Sequence, residues 1–226
     1  MKNSISKLVV AAVLGAGSAG WAAPILFGPP VGDVYTATSP GAQAIPDYPG
    51  SGVAYALSFT GPSTLTDIMF TFTTSGGTAW NGDLYAYLSH GAGSAILLNR
   101  VGAPAVGTDG YGTAGFPGIT LAMTGGTANI HDVQFPTAGG GPYTADGTGG
   151  STLSVFNGVN PNGSWILYFE DQAALNVSSL DSWTLNITTV PEPATWVLGM
   201  FGALAGAVKS MQWRRRERAV VAGPTE

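Results

Sequence analysis

The stretch SWILYFED, residues 164–171, alternates between large apolar side chains and a second, more mixed set. Successive side chains of an extended chain point to opposite sides, so every second residue shares one face. The apolar set is Trp165, Leu167 and Phe169, and a period of two residues predicts a strand with one buried face.

The same period recurs along most of the chain, in TDIMFTF (66–72), DLYAYLS (83–89) and DSWTLNI (181–187). Glycine, proline, asparagine and aspartate separate these stretches, and amphipathic helical spacing is not evident between residues 24 and 189. We therefore predict an all-β, jelly-roll-like antiparallel sandwich, with a long surface loop at residues 137–151. Further strands are expected near Val53 to Phe59, Ile96 to Arg100, Ile130 to Phe135 and Leu153 to Phe156.

The body of the chain is strongly acidic. Between residues 24 and 189, one basic residue, Arg100, stands against ten acidic residues, which is a formal charge of −9. Proteins bind phosphate backbones chiefly through Lys and Arg, so we expect no nucleic-acid binding. The absence of cysteine from the sequence excludes disulfides and thiolate chemistry.

The N-terminus, MKNSISKLVVAAVLGAGSAGWAAP, has the order of a secretory signal peptide: two lysines, an apolar run and small residues. We predict that residues 1–22 form this signal and that cleavage follows Ala22, because proline at position 24 disfavours a cut directly before it. A membrane anchor is the alternative, but the apolar run is short for one.

Residues 194–208 are 15 uncharged residues, and extension to Trp213 gives 20, which is just enough for a transmembrane helix. A buried helix of a soluble core is the alternative, but Gly199, Gly202 and Gly206 disfavour it. Basic residues that follow a transmembrane helix stay on the cytoplasmic side of the membrane. They would hold the C-terminus in the cytoplasm while the body is exported. These orientation residues are Lys209, Arg214, Arg215, Arg216 and Arg218.

Val190, Pro191, Glu192 and Pro193 precede this apolar run, and two prolines favour an extended, unpaired backbone. The order of this motif, the apolar helix and the arginine cluster, residues 190–218, resembles the PEP-CTERM sorting signal of Gram-negative bacteria. The resemblance implies processing by an exosortase-type enzyme, an inner-membrane-anchored precursor, and release to the cell surface or extracellular matrix. Residues 219–226 would be a cytoplasmic tail, and exopolysaccharide or other proteins of a biofilm or floc matrix would be partners.

Motifs in the body carry a second resemblance, to the P (Homo B) domain that accompanies subtilisin-type proprotein convertases. The motifs occur in the same order in both, and the resemblance implies a jelly-roll-like sandwich over residues 53–189 without catalytic residues of its own. Residues 23–52 would then be an N-terminal extension and first loop. The matching positions are Gly82, Asp83 and Leu84; Phe156 and Gly158; Asn162, Gly163, Trp165 and Asp171; Leu180, Ser182 and Trp183.

Candidate catalytic groups are few. His90 and His131 are the only histidines, and neither lies in a nucleophile motif or at metal-ligand spacing to another ligand. We therefore expect a non-enzymatic protein without catalytic residues. Five aromatic side chains would stack on sugars if exposed, which keeps a glycan-binding module as an alternative: Trp80, Tyr85, Tyr87, Tyr111 and Tyr143.

The carboxylates suggest one cofactor, because Ca²⁺ prefers hard oxygen ligands. Four acids fall at strand ends within the motif regions, and our hypothesis is that they bind one Ca²⁺ at one end of the sandwich. The alternative is that isolated acids only keep an exported domain soluble. The four are Asp83, Glu170, Asp171 and Asp181.

Overall fold

The computed structural model describes residues 23–48, 51–62, 64–76, 80–104, 108–190 and Lys209. Ten strands form the framework of the described body. They are β1 Ile25–Leu26, β2 Val34–Thr38, β3 Gln43–Ile45, β4 Val53–Phe59, β5 Thr64–Ser75, β6 Leu84–His90, β7 Gly93–Asn99, β8 Ile119–Ala122, β9 Gly163–Asp171 and β10 Ser178–Val190. Three short 3-10 helices span Asn81–Asp83, Ile130–Asp132 and Leu153–Phe156.

The strands form two sheets, which confirms the prediction of an all-β sandwich. One sheet has the order β1-β4-β9-β6-β7, and the other has the order β2-β10-β5-β8, with β3 paired to β10. The short β1 runs parallel to β4, and the strands of the larger pairings run antiparallel. Because β4, β5 and β6 alternate between the sheets, as do β8, β9 and β10, the chain repeatedly crosses from one layer to the other.

The core lies between the two sheets and is built from the faces that the period of two predicts. Trp165 in β9 and Trp183 in β10 are 0% and 1% exposed. The rings of Phe72 in β5 and Phe169 in β9 meet across the layers with centroids 5.8 Å apart. Full burial of a large apolar side chain contributes about 1.5–3 kcal/mol, so these faces account for much of the stability of the fold.

Two predicted strands are wrong. Residues 130–132 and 153–156 form 3-10 helices whose apolar side chains still fill the core, with Ile130 and Leu153 both 0% exposed. At the first helix, the Asn129 side chain accepts a hydrogen bond from the backbone N–H of His131 at 2.9 Å, which caps the turn. Short apolar runs cannot be assigned by periodicity alone, because a single turn buries the same residues as a short strand.

The glycine-rich stretch 137–151 is a long loop at the surface, as predicted, but it is anchored to the body. Its centre packs into the body, where Ala145 is 1% and Asp146 is 3% exposed. Isolated bridges pair Tyr143 with Leu121 and Ser151 with Ala95. The many glycines permit tight turns between these anchored points.

The predicted terminal segments lie outside the described residues, except for Lys209. This applies to the signal peptide at residues 1–22, to Pro191, Glu192 and Pro193, and to the arginine cluster. Over the described part of the chain, the structure contains no helix of the length and apolarity that crossing a membrane requires. The last described residue of the body, Val190, is also the last residue of β10.

Candidate functional site

Two of the predicted calcium ligands, Asp83 and Asp171, meet at one end of the sandwich. Asp83 closes the 3-10 helix Asn81–Asp83, which leads directly into β6, and Asp171 ends β9. The two strands pair with Leu84 opposite Asp171, and the backbone N–H of Gln172 donates to the Asp83 carbonyl at 2.8 Å. Antiparallel register therefore brings together two acids that are 88 positions apart in the sequence.

Asp83 is 3% exposed, and its Oδ1 has no hydrogen-bond partner among the described residues. Burial raises the pKa of Asp83 to about 6, and the negative charge of Asp171 adds to the rise. Arg100 and the Trp80 backbone act in the opposite direction, while Asp109 raises the pKa further. Removing a carboxylate from water disfavours its charged form, so ionisation of the Asp83 side chain is unfavourable at this position.

Asp171 is 0% exposed, since it continues the buried face of β9. Its Oδ1 accepts a hydrogen bond from the Ala173 backbone N–H at 3.2 Å, whereas its Oδ2 lacks a partner within the described part of the chain. Burial raises the pKa of Asp171; the Ala173 and Ser178 groups oppose this rise and the charge of Asp47 adds to it. One oxygen of this second carboxylate is therefore also left without a donor from the described residues.

Two further side chains at this end were missed by the sequence analysis. Asn81 is 1% exposed, and its Nδ2 donates to the Gly115 carbonyl at 3.0 Å, which fixes the orientation of the amide. Asp47 follows β3, and its Oδ2 accepts a hydrogen bond from the Leu175 backbone N–H at 3.0 Å. Neither Asn81 Oδ1 nor Asp47 Oδ1 meets a donor from the described residues. We call Asp47, Asn81, Asp83 and Asp171 the oxygen cluster.

Asn81 offered a local signal only through its position two residues before Asp83 in the sequence. Asp47 had no such signal. It joins the cluster through a contact with a residue 128 positions away, in the turn between β9 and β10. That contact depends on the tertiary fold and has no local pattern.

Arg100 is the nearest cation to the oxygen cluster, but other groups engage it. Its Nη2 lies 3.5 Å from Asp109 Oδ1, and its Nε donates to the Gly82 carbonyl at 3.3 Å. Arg100 is also the only Lys or Arg in residues 24–189 of the sequence. It lowers the pKa of Asp83 only as a nearby charge.

The other two predicted ligands lie elsewhere. Glu170 pairs with Tyr85 on the outer face of the sheet, on the opposite side of β9 from Asp171. Asp181 accepts a hydrogen bond from the Ser75 hydroxyl at 2.9 Å. Considering only the described residues, no group of three or more His, Cys, Asp or Glu side chains is placed to hold a metal ion.

Tyrosines cover part of the outer face of the β4-β9-β6 layer. The rings of Tyr87 and Tyr168 stack with centroids 5.0 Å apart, and Tyr87 is only 8% exposed. The Tyr168 hydroxyl accepts a hydrogen bond from the Gly52 backbone N–H at 3.1 Å. Trp80 is 40% exposed. Sugar stacking by these aromatics stays a prediction.

Both histidines use both ring nitrogens in hydrogen bonds. His90 Nδ1 lies 2.9 Å from the Ser164 carbonyl and Nε2 lies 2.8 Å from the Asn160 carbonyl, while the ring stacks on Trp165 at 4.2 Å. His131 Nδ1 lies 2.8 Å from Asp146 Oδ2, and its Nε2 lies 2.8 Å from the Ala103 carbonyl. Each imidazole is thus held in place from two sides.

Both carboxylate oxygens of the buried Asp146 accept hydrogen bonds. Its Oδ2 accepts from His131 and from the Asn99 backbone N–H at 2.9 Å, and its Oδ1 accepts from the Thr148 backbone N–H at 3.0 Å. Desolvation lowers the pKa of His131, but the hydrogen bond and charge of Asp146, with Ala103 and Asp132, outweigh it and raise the pKa overall. We call His131 and Asp146 the histidine pair.

Comparison with known proteins found no matching family model and no matching curated protein. Among solved structures, the chain is similar to a chain in the crystal structure of an Aeromonas sobria serine protease and chaperone complex, with 16% identity and a TM-score of 0.40. That match covers 71% of this chain and 27% of the other. It is also similar to the Aeromonas sobria serine protease, with 15% identity, a TM-score of 0.39, and 72% and 28% coverage. The chain therefore spans little more than a quarter of the length of these solved chains.

Proposed function

We propose that this protein is an exported, non-enzymatic component of the cell surface or extracellular matrix, delivered by a C-terminal sorting signal. The observation that carries the proposal is the order of three segments: Val190 to Pro193, an uncharged run from residue 194, and a basic cluster that ends at Arg218. The signal-like N-terminus directs the body to the same side of the membrane. An exosortase-type enzyme would cut near the Pro-Glu-Pro motif.

The position at which the folded body ends, the last residue of β10, supports this proposal. β10 pairs with β2, β3 and β5, so it is central to its sheet, and its pairing with β5 continues to Val190 opposite Thr64. Val190 is also the first residue of the sorting motif, and Pro191, Glu192 and Pro193 follow it. A cut within the motif would leave every described strand in place, and Val190 is 40% exposed. Processing would therefore release a folded sandwich.

Two observations support a structural role for the body. In both histidines of the sequence, both ring nitrogens form hydrogen bonds with carbonyl or carboxylate oxygens. Each imidazole therefore contributes to the stability of the fold. The repeated crossing between sheets supports a jelly-roll-like sandwich, and we extend the proposal to a P-domain-like variant of it. A rigid acidic sandwich suits a matrix in which many copies must stay soluble during export.

The proposal is tested by expressing the full chain in a Gram-negative host that contains an exosortase-type enzyme. We expect wild-type protein in the extracellular fraction, and we expect the Glu192→Gln variant to remain in the inner membrane as the longer precursor. Asp181→Asn is the matched control, because it removes one acid from the body and leaves the motif unchanged. Release of Glu192→Gln at the wild-type level would overturn the proposal.

A further inference from the structure

An open groove of about 490 Å³ lies at the end of the sandwich where β5 finishes. Three segments line it, namely residues 74–76 at the end of β5, residues 113–115 with Pro117, and Phe135 with Pro136. Among these lining residues, all of which the structure describes, none carries a charge, and hydroxyl groups alternate with apolar side chains. Ligand sites in proteins are concave and mostly apolar surfaces with a few polar groups, and this surface, which we call the Phe135 groove, has that character.

The aromatic side chains at the Phe135 groove are exposed, unlike the others of their types. Phe135 is 71% exposed, whereas every other phenylalanine in the described part of the chain is buried or half-buried. Trp80 is 40% exposed, whereas the other described tryptophans are at most 1% exposed. The Trp80 ring lies over Gly112, where a Cβ would be 3.3 Å from it, and Gly112 is next to the groove-lining Thr113. Exposed aromatic surface on both sides of one groove segment marks a place where a partner binds.

Hydroxyl groups provide the polar contacts of the Phe135 groove. Thr113 Oγ1 donates to the Gln134 carbonyl at 2.9 Å, and Ser75 Oγ donates to Asp181 Oδ1 at 2.9 Å. A hydroxyl has one donor and two acceptor positions, so each of these oxygens can still accept a hydrogen bond from a ligand. The internal hydrogen bonds also fix the positions of both hydroxyls before a ligand arrives.

The backbone along the Phe135 groove is already paired within the fold. The Thr74 N–H donates to the Phe116 carbonyl at 2.9 Å, and the Asn81 N–H donates to the Thr113 carbonyl at 2.8 Å. Gly115 has φ +75°, and a Cβ there would lie 2.6 Å from the Thr74 carbonyl oxygen, so only glycine permits this close approach. A peptide that binds by strand addition needs unpaired backbone groups, and this pairing disfavours such a partner.

The charge of the body disfavours an acidic ligand. Residues 24–189 carry a formal charge of −9, and their one Lys or Arg, Arg100, lies 3.5 Å from Asp109. A phosphate, sulfate or carboxylate group would therefore be repelled by the body and would meet no cation in the lining of the groove. A neutral sugar fits this environment, because its hydroxyl groups both donate and accept hydrogen bonds. Its C–H face can also pack on the negative face of an aromatic ring.

We propose that the Phe135 groove binds a segment of a neutral polysaccharide. Phe135 provides the ring on which one sugar stacks, and Trp80 provides a second apolar contact beside the groove. The hydroxyls of Ser75 and Thr113 accept hydrogen bonds from sugar hydroxyls, and the Asp181 carboxylate next to Ser75 is a further acceptor. The groove is open to solvent, so the polymer can continue beyond it.

The Phe135 groove and the C-terminal end of the body lie at opposite ends of β5. Val190 pairs with Thr64, the first residue of this 12-residue strand, whereas residues 74–76 at its other end line the groove. At roughly 3.3 Å per residue, the two ends are about 35 Å apart. If the tail anchors the body as the proposed function states, the groove faces away from the membrane and can reach extracellular polysaccharide. This last step rests on the proposed function, and the binding itself does not.

Affinity electrophoresis of the full 226-residue chain tests the groove. The chain would be purified in a detergent without a sugar headgroup and run in native gels that contain dextran, laminarin, hydroxyethylcellulose or galactomannan. Gels with alginate, an acidic polysaccharide, provide the comparison. We expect at least one neutral polymer to retard the chain and alginate to leave its mobility unchanged. Retardation by none of the neutral polymers, or equal retardation by alginate, would overturn the proposal.

A proline-rich peptide on beads is the second arm, because aromatic grooves also bind such peptides. We expect no capture of the chain by this peptide. Capture that the retarding polysaccharide fails to displace would show that the Phe135 groove is a peptide site and would overturn the proposal.

Matched variants assign binding to the Phe135 groove. Phe135→Ala should weaken retardation about tenfold without lowering the unfolding temperature, and Phe135→Trp should restore it, because the ring is the contact. Leu175→Ala is the control, since Leu175 is 75% exposed and lies outside the groove. Wild-type retardation in both Phe135→Ala and Trp80→Ala would contradict the assignment.

Failure of this inference and failure of the proposed function give different results. A chain that binds a neutral polysaccharide but is not exported would contradict only the proposed function. A chain that is exported and processed but binds none of the neutral polymers would contradict only the polysaccharide site.

Discussion

The histidine pair and the oxygen cluster are two buried polar sites built from similar residues, and they differ in charge balance. In the histidine pair, Asp146 receives three hydrogen bonds and faces an imidazole. In the oxygen cluster, Asp83 and Asp171 each retain a buried oxygen without a donor from the described residues, and the charge of Asp171 adds to the raised pKa of Asp83. The carboxylate of the histidine pair is satisfied by described residues, whereas those of the oxygen cluster are satisfied only in part.

Burial of an acid does not by itself indicate a function. Asp146 and Asp171 are both almost fully buried. The two differ in the hydrogen-bond donors that surround each carboxylate. A buried charge with donors stabilises a fold, whereas a buried charge without donors lowers the stability of the folded state. Substitutions that change the donors or charge at one carboxylate at a time therefore test whether the two sites differ in this way.

Asp146→Ala should have the largest effect. It leaves His131 and two backbone N–H groups without their acceptor, and removing one partner of a buried pair costs about 3–5 kcal/mol. Chemical denaturation of the full chain would measure the loss. A loss below about 1 kcal/mol would mean that the histidine pair is not the complete unit that its geometry indicates.

Asp83→Asn should change stability in the opposite direction when calcium is absent. The substitution removes a buried charge of almost the same shape and introduces an N–H donor near Asp171, so the free energy of unfolding should rise by about 1–3 kcal/mol. The same denaturation experiment in EDTA checks this. A destabilisation comparable to that of Asp146→Ala would show that both sites are structurally equivalent.

The pH dependence of the histidine pair should be smaller. The raised pKa of His131 means that its contribution is fully present below its ordinary value of 6.5 and is lost as the pH rises through the folded-state value. Desolvation lowers the pKa of His131, and Asp146, the Ala103 carbonyl and Asp132 raise it; because these effects oppose one another, we expect the charge of His131 to contribute about 1 kcal/mol or less. The difference in unfolding free energy between wild type and His131→Gln should therefore shrink above pH 6.5. A difference that grows with pH would have the wrong sign.

Asp181→Asn should have the smallest effect. The side chain makes one hydrogen bond, to Ser75, and the substitution should change stability by no more than about 0.5 kcal/mol. Chemical denaturation of the full chain would measure the change. A loss comparable to that of Asp146→Ala would mean that Asp181 has a structural role beyond its single hydrogen bond.

Much of the fold could be predicted from the sequence because half-buried strands leave a strict period of two. β4 coincides with its predicted bounds, Val53–Phe59, and the faces of β5, β9 and β10 are buried as expected. The errors at residues 130–135 and 153–156 have one physical cause. Apolar runs of four to six residues can enter a core from a turn as well as from a strand, and only the tertiary packing decides between them.

The candidate site could be predicted only in part. Asp83 and Asp171 sit at strand ends, which the alternation located, and the pairing of β6 with β9 joined them. The same alternation places Glu170 on the opposite face of β9 from Asp171. The four predicted calcium ligands nevertheless included both residues. Asp47 depends on a contact across 128 positions, which local pattern does not encode.

The central claim is that the tail beyond Val190 is a temporary address for an exported sandwich. Intact-mass spectrometry of the protein recovered from the extracellular material of its native host tests this claim most directly. The account predicts an N-terminus at residue 23 and a C-terminus within or next to the motif at residues 190–193. An extracellular form that retains residues 194–226 would contradict it.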